Sequence, residues 1–297
     1  MTTVQIPGGS FLMGSAAFYA DEGPVHERHV DAFELDATPV TNREFADFVR
    51  ETGYVTVAEE PLDGEEFSSL SAEDRAPGAM VFRPTRGPVD LRDWRHWWTW
   101  VPGARWSQPF GPGSGIADRL DHPVVQVAYR DASAYAAWRG KRLPTEAEWE
   151  FAARGGIDQA TFAWGDEARP HDELMANHWQ GNFPYRNTGA AGWVGTSPVG
   201  TFPPNGYGLY DVTGNVWEWT STPYAPRHLP PGVAGPPLGA RPNLLGVAAS
   251  TPAEARRVLK GGSHLCAPEY CLRYRPAARS PQSDDTAMTH IGFRCAV

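Results

Sequence analysis

Glycine and proline make up an unusually large part of this chain, and they constrain its fold more than any other feature. The 297 residues include 31 Gly and 28 Pro, together roughly a fifth of the chain, above ordinary usage but below the low-complexity range. Both residue types interrupt helices and strands. Twelve Trp residues supply large apolar surfaces for a core. We therefore expect one loop-rich domain, residues 1–297, in which aromatic side chains pack against irregular backbone.

Charge and hydropathy exclude several classes of function. The net charge is -9 with no basic stripe, which argues against nucleic acid as a partner. No apolar run is long enough to span a membrane. The N-terminus lacks the basic-then-apolar pattern of a signal peptide. Three cysteines are too few for a disulfide scaffold, so we expect a protein of the reducing cytoplasm.

Two capping boxes predict where helices begin. Residues 41–44 (Thr-Asn-Arg-Glu) and 145–148 (Thr-Glu-Ala-Glu) each place a threonine three residues before a glutamate. Gly53 and the pair 155–156 suit the corresponding helix ends. The second helix has glutamates in its first turn, for which we favour a role in capping over acid-base catalysis: Glu146, Glu148 and Glu150.

Other segments give weaker local signals. Residues 122–127 predict a strand, and Asp131 predicts the N-cap of a helix that runs to Trp138. Residues 59–93 are acidic and rich in Ser, Pro and Gly, so we interpret them as a long surface loop. The Pro/Gly-rich residues 229–242 predict a second one.

Aromatic and histidine side chains offer two further candidates. Residues 94–106 contain five Trp, which suit either an irregular part of the core or the wall of a peptide groove. We favour core packing for most of them. His26 and His29 could bind a metal, but histidines near a strand edge are more often solvated, and we favour that interpretation.

A segment near the C-terminus has the strongest chemical pattern. Residues 260–275 contain Cys266 and Cys271, two of the three cysteines, after a Gly-Gly-Ser sequence. Thiolates are soft ligands and nucleophiles, so a close pair suits a reactive site or a metal. A local disulfide or two buried thiols fit equally well on these residues alone.

A second motif has oxygen-bearing side chains in a loop. Asp211 and Glu218 flank a segment that contains Gly214. Such carboxylates and carbonyls suit a hard cation such as Ca²⁺, although the spacing is not that of an EF-hand. The signal is weak on chemistry alone.

Several segments together resemble the formylglycine-generating enzyme (sulfatase-modifying factor) family. They lie along nearly the whole chain: residues 6–15, 40–45, 140–150, 205–210, 214–220, 261–263 and 292–295. The resemblance implies an α+β fold, a single C-type-lectin-like domain with little regular secondary structure. Such a fold does not determine function. The cysteine pair after Gly-Gly-Ser, followed by Arg-Tyr-Arg at 273–275, is what resembles the aldehyde-forming members.

The resemblance also implies a reaction and its cofactors. Aldehyde-forming members convert the cysteine of a Cys-x-Pro-x-Arg segment in an unfolded sulfatase to Cα-formylglycine, with O₂ as co-substrate and reducing equivalents. By resemblance, Cys266 and Cys271 bind one Cu(I), a soft ion for which two thiolates are suitable ligands. Ser263, Tyr270 and Trp217 match residues of the active-site pocket.

Calcium ligands are implied in the same way. Asp211, Gly214, Val216 and Glu218 match one family site, Gly214 and Val216 through backbone carbonyls. Asn177, His178 and Trp193 match part of a second site, which Ala191 weakens because it stands where a carboxylate is expected.

The chain departs from the family pattern at its third cysteine. Cys295 matches a cysteine that forms a disulfide in secretory members, but Ala136 stands at the partner position, so we expect a free thiol. A second family disulfide is absent because Ala153 and Pro276 occupy its positions. His290 replaces an asparagine near the substrate pocket.

Two other functions remain as alternatives to the copper-dependent oxidase. One is a C-type-lectin-like binding module with an inert Cys266–Cys271 disulfide. The other is a metal-free thiol-disulfide oxidoreductase. Copper binding separates the oxidase from the binding module, because a disulfide offers no thiolate.

Overall fold

Short strands and long irregular connections dominate the architecture. The structure is a computed structural model that describes residues 2–62, 68–69, 71, 75–229 and 256–297. At the N-terminus, β1 (Thr3–Ile6) pairs with β4 (Phe33–Asp36), and β2 (Gly9–Met13) pairs with β3 (His26–Val30), both antiparallel. These short strands fit the loop-rich domain that the sequence predicts.

Three helices lie among the described residues. They are α1 (Asn42–Thr52), α2 (Tyr129–Trp138) and α3 (Glu146–Arg154). Both predicted capping boxes are confirmed: Thr41 and Thr145 each accept a hydrogen bond from the backbone N–H three residues later. Helices α1 and α3 end at Gly53 and Gly155 in the left-handed conformation, as predicted. No helix of the described residues is long and apolar enough to cross a membrane.

The start of α2 differs from the prediction. Its N-cap is Ala128, and Asp131 lies three residues inside the helix start. The Asp131 carboxylate accepts from the Ala128 N–H at 2.8 Å, which is the glutamate-like half of a capping box. The strand predicted at 122–127 is wrong: only an isolated bridge from Pro123 to Thr41 forms there.

The interval 59–93 is not a surface loop throughout, which corrects the prediction. It contains β5 (Gly78–Phe82), paired antiparallel with β6 (Trp98–Pro102). Ala79, Met80 and Val81 are buried, because the apolar Gly-Ala-Met-Val-Phe run finds its partner some twenty residues later. Of the loop predicted at 229–242, residues 230–242 lie outside the described residues.

A four-stranded sheet supports the C-terminal half. Its order is β10 (Ile291–Gly292), β7 (Trp217–Pro223), β8 (Arg256–Lys260) and β9 (Arg279–Ser283). β10 runs parallel to β7, and the other neighbours are antiparallel. The main core packs α1 and α2 against this sheet, with Phe45, Tyr135 and Trp219 at its centre. The end of β8 leads directly into residues 261–275, which contain Cys266 and Cys271 and which we call the thiol segment.

Buried ion pairs fix α3 to the sheet. Glu150 binds the Lys260 ammonium at 2.9 Å and the Arg154 guanidinium at 2.7 Å. Glu146 binds Arg279 at 2.7 Å. These glutamates therefore have structural roles, as expected, but they are buried and ion-paired rather than limited to the helix terminus.

Candidate functional site

Two glycines after β8 turn the chain so that the thiol segment folds back on itself. Gly261 and Gly262 have φ angles of 94° and 69°, a region that other residues enter at a cost. A Cβ on Gly262 would lie 2.7 Å from the Arg273 carbonyl oxygen. This close approach places Ser263 and Cys266 beside the chain that follows Cys271.

The two thiols of the segment lie next to each other. The Sγ atoms of Cys266 and Cys271 are 3.4 Å apart, well beyond the ~2.05 Å of a disulfide, and all three cysteines are free. The Ser263 N–H also donates to the Cys266 sulfur at 3.4 Å. The Cys271 contact lowers the pKa of Cys266, whereas the same contact and burial raise the pKa of Cys271. Cys266 is therefore the first of the pair to become a thiolate.

The sulfurs open onto a cavity of about 350 Å³, which we call the thiol cavity. All five residues predicted for the catalytic site line it: Trp217, Ser263, Cys266, Tyr270 and Cys271. The fold thus brings them together. Other lining residues include Tyr19, Trp97, Trp98, Phe183, Arg273 and His290.

Stacked aromatic rings form one wall of the thiol cavity. Tyr270 stacks on Phe183 with centroids 4.6 Å apart and meets Trp97 edge-on at 5.5 Å. Trp98 packs on His290 at 4.7 Å. Of the five clustered Trp residues, these two line the cavity, so both interpretations of residues 94–106 hold in part. Trp106, in contrast, is buried in the main core.

A cation and a neutral imidazole face the thiols. Arg273 is held 4.2 Å above the Tyr19 ring and 3.6 Å from Asp21, and its charge adds to the Cys271 contact in lowering the pKa of Cys266. Burial lowers the pKa of His290 to about 3, so this side chain is uncharged at neutral pH. The cavity thus favours a thiolate on Cys266 without a second positive group.

Sequence reasoning missed Tyr19 and Phe183. The Tyr19 hydroxyl accepts from the Leu272 N–H at 3.2 Å, and Phe183 follows a loop far from the thiols in sequence. The only signal was an aromatic residue within a polar stretch, which is too common to single out a site. Their positions depend on contacts more than two hundred and more than eighty residues apart.

The residues of the first predicted calcium set make hydrogen bonds within the protein. Both carboxylate oxygens of Glu218 accept from Arg294 at 2.8 Å, and one also accepts from Trp149. Asp211 accepts from the Gly200 N–H at 2.7 Å, and burial raises its pKa to about 6. Gly214 and Val216 lie between them in the same buried segment. Glu218 Oε1 accepts one hydrogen bond and keeps a lone pair that could bind a cation.

The residues of the second predicted calcium set also make contacts within the protein. The Asn177 amide donates to the Gly195 carbonyl at 2.9 Å. The His178 ring stacks on Tyr274 at 4.1 Å, and Trp193 lies partly exposed. Within the described residues there is no group of three or more His, Cys, Asp or Glu that could hold a metal ion. The thiol pair, with two sulfur donors, is a smaller group than this.

Comparisons with known proteins place this site in context. The family model for the sulfatase-modifying factor enzyme 1-like domain matches residues 1–297. The chain is 63% identical over 292 residues to the formylglycine-generating enzyme of Mycobacterium tuberculosis, covering 98% of this chain and 96% of that protein. It is also 42% identical over 299 residues to the inactive Cα-formylglycine-generating enzyme 2 of Mus musculus, covering 99% and 84%.

A solved structure supports the architecture. PvdO from Pseudomonas aeruginosa matches with a TM-score of 0.63 and 25% identity, covering 99% of this chain and 93% of that chain. Because an inactive relative and a formylglycine-generating enzyme both match along the whole chain, the fold alone does not determine activity.

Proposed function

The chain belongs to the sulfatase-modifying factor family as a formylglycine-generating enzyme, and we propose that it oxidises the cysteine of a Cys-x-Pro-x-Arg segment in an unfolded sulfatase. Its fold is the expected single C-type-lectin-like domain with few helices and short, mixed sheets. One observation supports the proposed reaction most: two free thiols 3.4 Å apart on the wall of a cavity.

We propose that Cys266 and Cys271 hold one Cu(I) ion. Two free thiols at this separation form a soft donor set, which suits Cu(I) better than a hard cation. Copper, when bound, supplies the activation of O₂ and the oxidation of the substrate methylene carbon. The depressed pKa of Cys266 favours its thiolate, which is the form that binds a metal.

The chain's own residues would bind and orient the substrate. Ser263 Oγ accepts from the Leu265 N–H at 3.2 Å, so its O–H remains to donate to a bound group. The Tyr270–Phe183 stack forms an aromatic wall on one side of the cavity. The uncharged His290 imidazole leaves Arg273 as the cation that favours thiolates there.

The balance of the reaction defines its partners. The substrate carbon is oxidised to an aldehyde and its sulfur leaves as sulfide, while O₂ and a reductant are converted to water and oxidised reductant. An unfolded polypeptide is required because the thiol must reach an internal cavity. We also propose a cytoplasmic location, which the three free thiols support. Calcium at Asp211 and Glu218 stays a prediction to which we assign no step.

A copper titration tests this proposal. Cu(I) is titrated under anaerobic, reducing conditions against a colorimetric chelator, with the wild type, Cys271→Ser and a control variant, Cys295→Ala, which removes the thiol outside the cavity. We expect tight binding in the wild type and the control, and its loss in Cys271→Ser. Equal binding in all three would reject the thiol site.

This titration and a separate dithiol assay distinguish the alternatives. A binding module with an inert disulfide would bind no copper in any variant. A metal-free thiol-disulfide oxidoreductase would exchange disulfides in a dithiol assay whether or not copper is present. Either result would contradict the copper-dependent oxidase.

A further inference from the structure

A second cavity lies beside the thiol cavity, and we propose that it binds an apolar segment of the unfolded substrate that flanks the modified cysteine. This second cavity has a volume of about 400 Å³, and its lining includes Phe82, Pro109, Phe110, Trp179 and Val194. The inference rests on the proposed function, because it takes the substrate to be an unfolded polypeptide.

The two cavities share a wall. Leu265 lines both of them, and it immediately precedes Cys266. Trp179 of the second cavity packs on Phe183 of the thiol cavity with centroids 5.1 Å apart. A polypeptide bound at the thiols therefore has a neighbouring apolar surface for its flanking residues.

The rim of the second cavity exposes apolar side chains that a folded protein usually covers. Val194 is 68% exposed and Phe110 is 40% exposed, and Trp193 beside Val194 is 37% exposed. Phe110 and Val194 are exposed and also line the cavity, which suits an interaction site. Because the surface continues from the cavity onto the rim, it suits an extended chain better than a small enclosed molecule.

Arginines hold this rim in place. The Arg83 guanidinium donates to the Phe110 carbonyl at 3.1 Å, and the Arg119 guanidinium lies 5.5 Å from the Phe110 ring. A surface that is ordered before binding loses less conformational entropy when a chain is bound. Phe110 is thus exposed and fixed, as expected of a docking residue.

The chemistry of the lining also favours a polypeptide. His264 lines the second cavity, and its Nδ1 lies 2.8 Å from the Asn215 carbonyl oxygen, to which it donates. The other ring nitrogen can then accept from a backbone N–H. Unfolded chains offer both apolar side chains and unpaired backbone groups.

A pair of valine variants tests the inference. Val194→Asp places a charge on the rim, and Val55→Asp does the same at a similarly exposed valine (53%) outside both cavities. Each protein is assayed with the short peptide Leu-Cys-Thr-Pro-Ser-Arg and with a longer peptide that adds apolar residues on both sides. The measured quantity is the ratio of kcat/KM for the long peptide to that for the short peptide.

We expect this ratio to fall about five- to tenfold in Val194→Asp, the loss of roughly one buried apolar contact, and to stay unchanged in Val55→Asp. If both variants keep the wild-type ratio while converting the short peptide, the inference is wrong and the proposed function stands. If the wild type converts neither peptide, the proposed function itself fails.

A binding experiment identifies the occupant. A long peptide with its cysteine replaced by serine is titrated into the wild type by calorimetry, with and without phenylacetate as a small apolar carboxylate. Binding that Val194→Asp weakens and phenylacetate does not displace supports a polypeptide. Phenylacetate binding that Val194→Asp weakens, with no peptide binding, would assign the cavity to small molecules and overturn the inference.

Discussion

Replacing Lys260 by methionine should destabilise the protein and disturb the thiol segment. Lys260 is fully buried at the end of β8, directly before Gly261. Its ammonium lies 2.9 Å from one Glu150 oxygen and 3.9 Å from Glu146. Methionine fills a similar volume without the charge, so the variant leaves a buried carboxylate with one cation fewer.

The expected loss in the free energy of unfolding depends on the contacts that Glu150 keeps. Removing one partner of a buried ion pair costs about 3–5 kcal/mol. Glu150 still accepts from Arg154 at 2.7 Å and from the Gly14 N–H at 2.8 Å. We therefore expect the lower end of the range, about 3 kcal/mol.

Urea denaturation measures this difference in the free energy of unfolding. Arg142→Met is the matched control. It breaks an ion pair between Arg142 and Glu148, which lies in α3 like Glu150, and the Arg142 side chain is 45% exposed. Such a pair contributes about 1 kcal/mol or less. Adding Glu150→Gln to Lys260→Met should lower the stability further, because the buried Arg154 guanidinium then loses its carboxylate partner. Equal costs for Lys260→Met and Arg142→Met would refute the reasoning.

Three further predictions concern the turn, acid and calcium. Gly262→Ala should destabilise the protein by about 2 kcal/mol or more, because the new Cβ would meet the Arg273 backbone. Gly113→Ala is the control, since Gly113 also has a positive φ but has open space around the new Cβ. It should cost about 1 kcal/mol in the same denaturation assay. Burial raises the pKa of Glu146, but Arg279, His228 and Lys260 together outweigh burial and lower the pKa to about 2. The stability that the ionised Glu146 carboxylate contributes is present above its unfolded pKa. It should be lost as pH falls from about 4.5 toward 2, which circular dichroism would show. The calcium prediction requires that calcium raise the Tm of chelator-treated wild type but not of Asp211→Ala; no rise in the wild type rejects that site.

Local sequence signals predicted the helix boundaries well. The Thr41 and Thr145 caps and the glycines that end α1 and α3 depend on contacts within one helical turn. These interactions form wherever the sequence permits them, so they can be read without knowing the fold. The shift of the α2 start is also local, since both Asp131 and an N-cap aspartate satisfy the same kind of orphan N–H group.

Strand predictions failed where the partner lay elsewhere in the chain. Residues 122–127 are buried and include three valines, but Pro123 lacks an N–H and Gln126 has a φ of 60°, so no regular ladder forms. The strand β5 was not predicted, because it lies in an acidic, Ser-rich part of the sequence. Its pairing with β6 could not be inferred from composition.

Only part of the candidate site was predicted, because contacts between distant parts of the chain leave no local sequence signal. Motif resemblance found Ser263, Cys266, Tyr270 and Cys271 because they lie within one short segment. Tyr19 and Phe183 reach the thiol cavity through distant loops. The second cavity had no sequence signal at all, since its lining comes from residues 42 to 289.

Mass spectrometry of a reacted peptide tests the central claim most directly. The protein is incubated with Leu-Cys-Thr-Pro-Ser-Arg, Cu(I), O₂ and a thiol reductant, beside matched samples that lack copper or contain Cys271→Ser. The account predicts that the peptide cysteine is replaced by the aldehyde of formylglycine only in the complete wild-type reaction. Formation of the aldehyde by Cys271→Ser without copper, or an unchanged thiol in the complete wild-type reaction, would contradict it.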